Sequence, residues 1–576
     1  MRRVVRIYRS NTGFAHQLTY LQIARFQAYC HTLMAKSSPA HKRRHSLCAT
    51  RKTRWLSSEI SLARSTCIRN LSKARLLTPR HSFKSIDPSP AHQSAHPIEH
   101  ADTVAFSIQD KEEGDASTVT VSEITTRHLR RLKTSASDFL GKKVNAAVIT
   151  VPTNFSDAQK SALKEAAWDA GIEVLQFIGE PVAAVLAYDA RPGASQADKV
   201  IVVADLGGIR SDVAIVASRG GIYTVLATSH DFDVSGSKLD DKLIEHFAKE
   251  FLKKHKNVDD PRNNDRSLAK LRLESEAVKK ALSLGNSATF SVESLASGTD
   301  FTCTVNRTRY EMLGRQTFEA IDRLILHTVE KAELDPLDIT DVILSGGLSH
   351  TPRIASNVSA LFNEKASVWA PATKADAINP SELASRGAAI QASLIADFDT
   401  ENIEESCEPV VTVTPHLKSA LGVMCISENV SHGKFQPIIE ADTPTPVRRS
   451  AVVATPREGG DVLVKLVEGV RHIKVEKVEK PQTNGKKAED DSDDDDDDDS
   501  DDDEDDEPEE KREKVWDIGK VIAELSVKGV KKGGKVEVQI DVRPDFAVSI
   551  IAREVGGKGG VRGQIDAPAV TENGSA

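Results

Sequence analysis

Two glycine pairs hold the chemistry on offer in this chain. The first lies in Asp205-Leu-Gly-Gly-Ile-Arg-Ser-Asp212, between the apolar runs 200–204 and 213–216. A strand, a turn with paired glycines and two acids, then a second strand is how a hairpin offers backbone N–H groups to a phosphate. The acids then face the metal that accompanies the phosphate. Gly-Gly turns between strands are common, so this pattern alone is a weak signal. The second pair, Gly346-Gly347, again follows an apolar run (342–344) and leads into a helix that opens at Pro352. Two strand–diglycine turns far apart in sequence predict a nucleotide gripped between two halves of an α/β body.

The elements that must position these turns follow from periodicity and punctuation. Residues 122–140 read as a helix and 144–151 as a buried strand ended by Pro152. Ser156 is an N-cap for a helix over 157–170, with Gly171 as its stop. Pro181 opens a helix over 182–188. The hairpin and a following strand occupy 199–228, helices cover 239–255 and 267–284, and two strands with a turn at 296–300 fill 287–305. A long helix spans 308–333, then come a strand at 341–344 and helices at 352–362 and 381–397. After Thr400 the apolar period changes from 3.6 to 2. Residues 410–413, 422–426, 461–467, 521–527 and 536–542 alternate as half-buried strands do.

Charge is distributed unevenly along the 576 residues. The net charge is −9, yet residues 1–58 hold twelve Lys or Arg and no acid, and residues 489–510 hold nineteen acids and no base. The remainder is close to neutral and offers no field for steering nucleic acid. The acid-rich stretch, assigned to 482–514, interrupts the strands as a solvated loop, since it has too little apolar area to fold. It can engage basic partners or simply solubilise, and Ser492 and Ser500 within it suit acid-directed kinases. The basic start admits two readings: a transit peptide for mitochondria, or a disordered or mis-assigned extension. The six cysteines are scattered without a Cys-x-x-Cys spacing, which reads as a reduced, intracellular chain without a zinc site. No apolar run approaches the ~20 residues that span a bilayer.

Residues 144–188, with 205–212, 271–283, 344–353 and 378–392, resemble the heat shock protein 70 family in ordered, multi-motif fashion from about Thr103 to Glu554. Within it, residues 117–132 and the shortened C-terminal part are similar to the atypical fungal branch that pairs with the J-protein zuotin on ribosomes. The resemblance implies an α/β fold: an actin-like bilobal nucleotide-binding body over 103–397 with its first lobe incomplete. A linker at 398–409 and a small β-sandwich over 410–554 follow, with a flexible tail at 555–576 and no helical lid. Residues 1–102 match nothing. The first-lobe Gly-Thr-Thr phosphate hairpin has no counterpart in residues 1–110, where Ser10-Asn-Thr-Gly13 lacks the flanking strand and the acid. The catalytic Lys has none either.

The resemblance also assigns roles. Glu276, Lys279, Lys280 and Ser283 recur at i, i+3, i+4 and i+7 and would face adenine and ribose; spacing alone equally describes a solvated helix face. Gly207 and Gly208 belong to the phosphate turn, and Gly346 and Gly347 would let the backbone approach the α-phosphate and adenosine. Asp205 and Asp212 stand at positions that hold magnesium-bound water, and Glu180 where a carboxylate helps position the metal shell. The departures fall at the phosphate end. Ile209 and Arg210 replace the third Gly and the Thr of the turn, Ser235-Gly236-Ser237 replaces Gly-Gly-Glu, and Ser381 replaces an Asp. His350 stands where the family stacks an Arg on the base. An Ile cannot readily adopt positive φ, and its Cβ intrudes where phosphate oxygens would sit.

These residues predict a non-catalytic, chaperone-like protein that holds ATP weakly or statically, with magnesium at most weakly at Asp205 and Asp212. The expected partners are a zuotin-type J-protein, the ribosome, a second, ATP-active heat shock protein 70 and nascent polypeptide, with no membrane and no sequence-specific nucleic acid. The expected place is the cytoplasm, with mitochondria as the alternative from the basic start. The competing functions are an ATP-driven foldase with a mis-assigned N-terminus and a small-metabolite kinase. The sandwich argues against the kinase, since no phosphoryl acceptor needs it.

Overall fold

The computed structural model describes residues 95–566, apart from 101–102, 109–116, 192, 195–196, 257, 397, 399–414, 428–429, 456–458, 479–508 and 558. The chain divides into two compact units, one up to Thr412 and one from Val413. No helix of the described residues is long and apolar enough to cross a membrane.

The first unit opens with a three-stranded antiparallel sheet, β1 (Ala95–His100), β2 (Thr103–Ile108) and β3 (Ser117–Thr120). Register pairs run from Ala95↔Ile108 to His100↔Thr103. The described residues thus place β1 and β2, paired in antiparallel register, inside the stretch expected to match nothing. Helix α1 (Val121–Leu140) is N-capped by the Thr120 side chain, which accepts from Glu123 N. Strand β4 (Ala146–Val151) leads to α2 (Asp157–Asp169), which starts on a capping box between Ser156 and Gln159. Arg130 and Lys133 of α1 donate to the carbonyls of Asp169 and Gly171, satisfying acceptors at the end of α2. Strand β5 (Glu173–Gly179), which the periodicity did not reveal, pairs with β4 in parallel. The strand expected to be buried at 144–151 is half-buried instead. A two-stranded parallel sheet has too few neighbours to cover both faces.

Helix α3 (Glu180–Asp189) then delivers the chain to a five-stranded sheet of order β12-β11-β6-β7-β8. Its strands are β6 (Lys199–Leu206), β7 (Ser211–Arg219), β8 (Ile222–Asp231), β11 (Asp341–Ser345) and β12 (Ser367–Trp369). Between β8 and β11 lie α4 (Gly236–Lys254), α5 (Asp265–Leu284), the hairpin β9 (Ser287–Ala296) and β10 (Thr299–Asn306), and α6 (Arg307–Lys331). Helix α7 (Pro352–Leu361) follows β11, and α8 (Leu383–Ile395) closes the unit. Strand alternation covers both sheet faces. Val200, Val202, Ala204 and Leu206 point into a core with α4, α5 and α6, while Ile201 and Val203 pack with α3 and Leu383. Gly387 of α8 sits directly on α3: a Cβ there would lie 1.9 Å from the Ala183 carbonyl oxygen.

The second unit is a β-sandwich. One sheet has the order β14-β13-β16-β17, with β13 (Ala420–Ser427), β14 (Val430–Ile439), β16 (Gly460–Val478) and β17 (Glu509–Val530). The other runs β15-β18-β19-β20, with β15 (Val447–Ala454), β18 (Lys535–Val542), β19 (Val548–Glu554) and β20 (Gly560–Ile565). Leu421, Val423, Leu466 and Leu525 face Val538, Ile540, Val542 and Ile550 across the core. Among the described residues no helix follows α8. Two expectations are corrected here. The acid-rich loop stops short of 514, because Glu509–Val530 is strand: Val478 pairs with Glu509, and the register sets Glu513 opposite Lys474. Nor is 555–576 wholly a loose tail. Gly563 lets β20 press onto Ile550, where a Cβ would come within 3.2 Å of its Cγ2. The strand expected at 410–413 and the linker at 398–409 lie almost wholly outside the described residues.

Candidate nucleotide site

The two diglycine turns do not sit on two halves of the body. Strands β6 and β11 are parallel neighbours with Ser345 opposite Asp205, so both turns emerge at the same end of one sheet's strands. Their approach is close enough to require glycine. Gly346 has φ +86°, and a Cβ on it would lie 2.4 Å from the Leu206 carbonyl oxygen and 2.5 Å from Asp205 Oδ1. Gly207 is needed for another reason: its Cβ would meet the Arg210 carbonyl oxygen at 2.6 Å, and its N–H donates to that oxygen to close the turn. A Cβ at Gly208 or Gly347 would meet nothing within 4 Å, so the protein's own packing demands glycine at neither.

The turn is closed upon itself. The N–H groups of Gly236 and Ser237, at the start of α4, donate to the carbonyls of Gly207 and Gly208 at 3.0 and 2.8 Å. A helix N-terminus is ordinarily a ready anion site. Here its leading donors are spent on the chain's own backbone.

Asp205 and Asp212 are directly opposite across the β6–β7 hairpin. Asp212, however, is held by Arg210. Nε donates to Oδ2 at 2.6 Å and Nη2 donates to Oδ1, while Nη2 also reaches Asn154 Oδ1 at 3.3 Å. Both side chains are mostly buried, 14% and 21% exposed. Among the described residues no group of three or more His, Cys, Asp or Glu could hold a metal ion. Magnesium wants near-octahedral oxygen ligands and keeps several waters. A carboxylate already bidentate to a guanidinium fits that need poorly. Glu180 is the first residue of α3 and follows β5 directly; α3 packs on the opposite face of the five-stranded sheet from α4.

The structure divides the four residues expected to face adenosine. Lys279 points inward, donating to Gly236 O at 2.9 Å and pairing with Asp240 of α4 at 2.8 Å. Lys280 and Glu276 pair with each other on the exterior at 2.9 Å. Ser283 donates its hydroxyl to the Lys279 carbonyl. His350 is half-buried, with Nε2 3.3 Å from Ser381 Oγ, and burial lowers its pKa. The two departures from the family pattern, His350 and Ser381, therefore meet: a His–Ser contact stands where the pattern has an Arg and an Asp. Gly346 N donates to Pro380 O and ties the two segments together.

Sequence reasoning missed Asp240, Asn154 and Phe232, whose ring lies 5.6 Å from the Arg210 guanidinium carbon. Asp240 had a signal. It falls in the stripe that buries Ile244, Phe247 and Phe251 of α4, where an acid needs a partner. A separate groove of about 450 Å³ is lined by Asp231, Asp233, Asp241 and Glu245 against only Lys238 and Lys242. It contains none of the candidate residues, and its acid excess suits no polyphosphate.

Comparison with known proteins gives the family. The family profile described as Hsp70 protein matches residues 79–480. The ribosome-associated complex subunit SSZ1 of Saccharomyces cerevisiae is 41% identical over 483 residues, covering 84% of this chain and 86% of that protein. Heat shock protein 70 homolog C57A7.12 of Schizosaccharomyces pombe is 41% identical over 389 residues, 67% of each chain. Heat shock 70 kDa protein BIP3 of Oryza sativa subsp. japonica is 34% identical over 361 residues, 62% of this chain and 51% of that one. The chain belongs to the Hsp70 family.

Proposed function

We propose that this Hsp70 is a non-catalytic co-chaperone that holds ATP weakly or statically and contributes binding surface to a ribosome-associated complex in the cytosol. Its partners in this reading are a J-protein of the zuotin type and a second, ATP-active Hsp70 that acts on nascent chains. One observation supports the loss of catalysis above all others: the phosphate turn is bonded to itself, with Gly236 N and Ser237 N on Gly207 O and Gly208 O and Arg210 on Asp212. Phosphoryl transfer depends on positioning and on preorganised charge around the transferred group. Donors that must first break internal bonds supply neither at the moment of reaction. Similarity to SSZ1 over most of both chains supports the ribosomal setting.

The test is turnover. Full-length protein is expected to hydrolyse ATP at the background rate, and addition of a J-protein should leave that rate unchanged. A clear J-dependent rise would favour an active foldase and sink this reading.

A further inference from the structure

We infer that Arg210 is a tethered counter-ion in place of the metal, so that this chain binds a nucleoside triphosphate without a divalent cation. The inference rests on the proposal that the chain holds ATP.

Three features of one side chain carry it. Arg210 occupies the mouth of the β6–β7 hairpin and takes both oxygens of Asp212, one of the two acids that face each other there. A divalent ion entering would have to displace a guanidinium whose charge repels it and whose two-pronged geometry matches the carboxylate. The position is fixed rather than casual, since the side chain is 14% exposed, is bonded to Asn154 on β4's side and lies over the Phe232 ring. Finally, Nη1 is buried and has no hydrogen-bond partner among the described residues. A guanidinium nitrogen buried without an acceptor is costly, and such a group in a native protein calls for an explanation. An anionic oxygen arriving beside the turn supplies the missing acceptor while Nε and Nη2 stay on Asp212. The triphosphate of ATP brings that oxygen, and in the same turn a Cβ on Gly208 would meet nothing within 4 Å.

The same arrangement explains why the backbone cradle can close. With Gly236 and Ser237 bonded to the glycine carbonyls, recognition of the phosphates passes from backbone N–H groups to a single fixed side-chain charge. That charge neutralises phosphate but cannot supply the water shell that a metal organises, so binding is separated from hydrolysis.

Two measurements on the full chain test this. In calorimetry with ATP, affinity in EDTA and in excess Mg²⁺ should agree within about twofold, while Arg210→Ala should lose about tenfold or more in EDTA and regain part of it with Mg²⁺. A parent affinity that Mg²⁺ raises by about tenfold or more overturns the inference. In the second, Mn²⁺ is titrated into nucleotide-free protein and the free ion is read by electron paramagnetic resonance. The parent should show no saturable site that Asp212→Asn removes; such a site would overturn the inference whatever ATP does. Should the parent bind no ATP under either condition, the ATP-holding proposal fails and metal-free binding fails with it. The Mn²⁺ titration still decides separately whether Arg210 keeps metal out. Both parent measurements stand even if the alanine variant does not fold.

Discussion

Lys279 meets Asp240 at 2.8 Å where the two side chains are 13% and 19% exposed, whereas Lys280 meets Glu276 at 2.9 Å with 67% and 36% exposed. An ion pair removed from water leaves an expensive charge behind when one partner is deleted, while an exposed i,i+4 pair is largely screened. Lys279→Met is therefore expected to lower unfolding free energy by about 3 kcal/mol and Lys280→Met by less than about 0.5 kcal/mol, read by urea denaturation. Equal effects would show that Lys279 is not a brace between α4 and α5. Residues 271–283 are recognisable as a motif in sequence, but which lysine turns inward is not. That choice is made by Asp240, 39 positions away on another helix. The same limit hid the His350–Ser381 contact, whose members are each visible as departures from a pattern and become a pair only when Gly346 is bonded to Pro380.

Helices α3 and α8 cross at Gly387, and their crossing fixes where Glu180 begins one helix and where Ser381 precedes the other. Substituting alanine there raises intrinsic helix propensity by about 1 kcal/mol but forces a methyl group into the Ala183 carbonyl. Gly387→Ala should be net destabilising by about 1–3 kcal/mol, with Gly208→Ala, whose Cβ meets nothing, as a near-neutral control. A thermal melt of both variants checks this, and a stabilised Gly387→Ala would mean that the helices slide apart freely. Elements were legible where one signal dominated. The hairpin β6–β7 announced itself by apolar runs around a diglycine, and α2 by its Ser156 cap and the Gly171 stop. Strand β15 alternates half-buried with exposed positions, yet its sequence sets like residues side by side, with Arg449 in the half-buried set and Val452 in the exposed one, so its periodicity was faint. Strand β20 was hidden by its glycines, which serve close packing rather than freedom. The gathering of both diglycines at one end of one sheet was likewise illegible, because nothing in two separate turns says that their strands are neighbours.

Outside its basic start and its acidic run the molecule is close to neutral, so attachment to a ribosome would come through a partner's surface and not through a global field. The proposed assembly predicts that the protein sediments with ribosomes in sucrose gradients at low salt, appears in the cytosolic fraction, and leaves the ribosome together with its J-protein. Import into isolated mitochondria with cleavage inside the first hundred residues would contradict it. The sandwich adds a separate consequence. Val478 and Glu509 are direct partners at the end of β16 and β17, so the described chain positions that flank residues 479–508 lie about 5 Å apart, one strand spacing. For a flexible connection between ends held that close by a ladder, doubling the length costs only about 0.6 kcal/mol. Evolution can thus lengthen, shorten or recharge this segment almost independently of the sandwich: the hairpin acts as a mounting point whose cargo is free to vary while the frame stays the same.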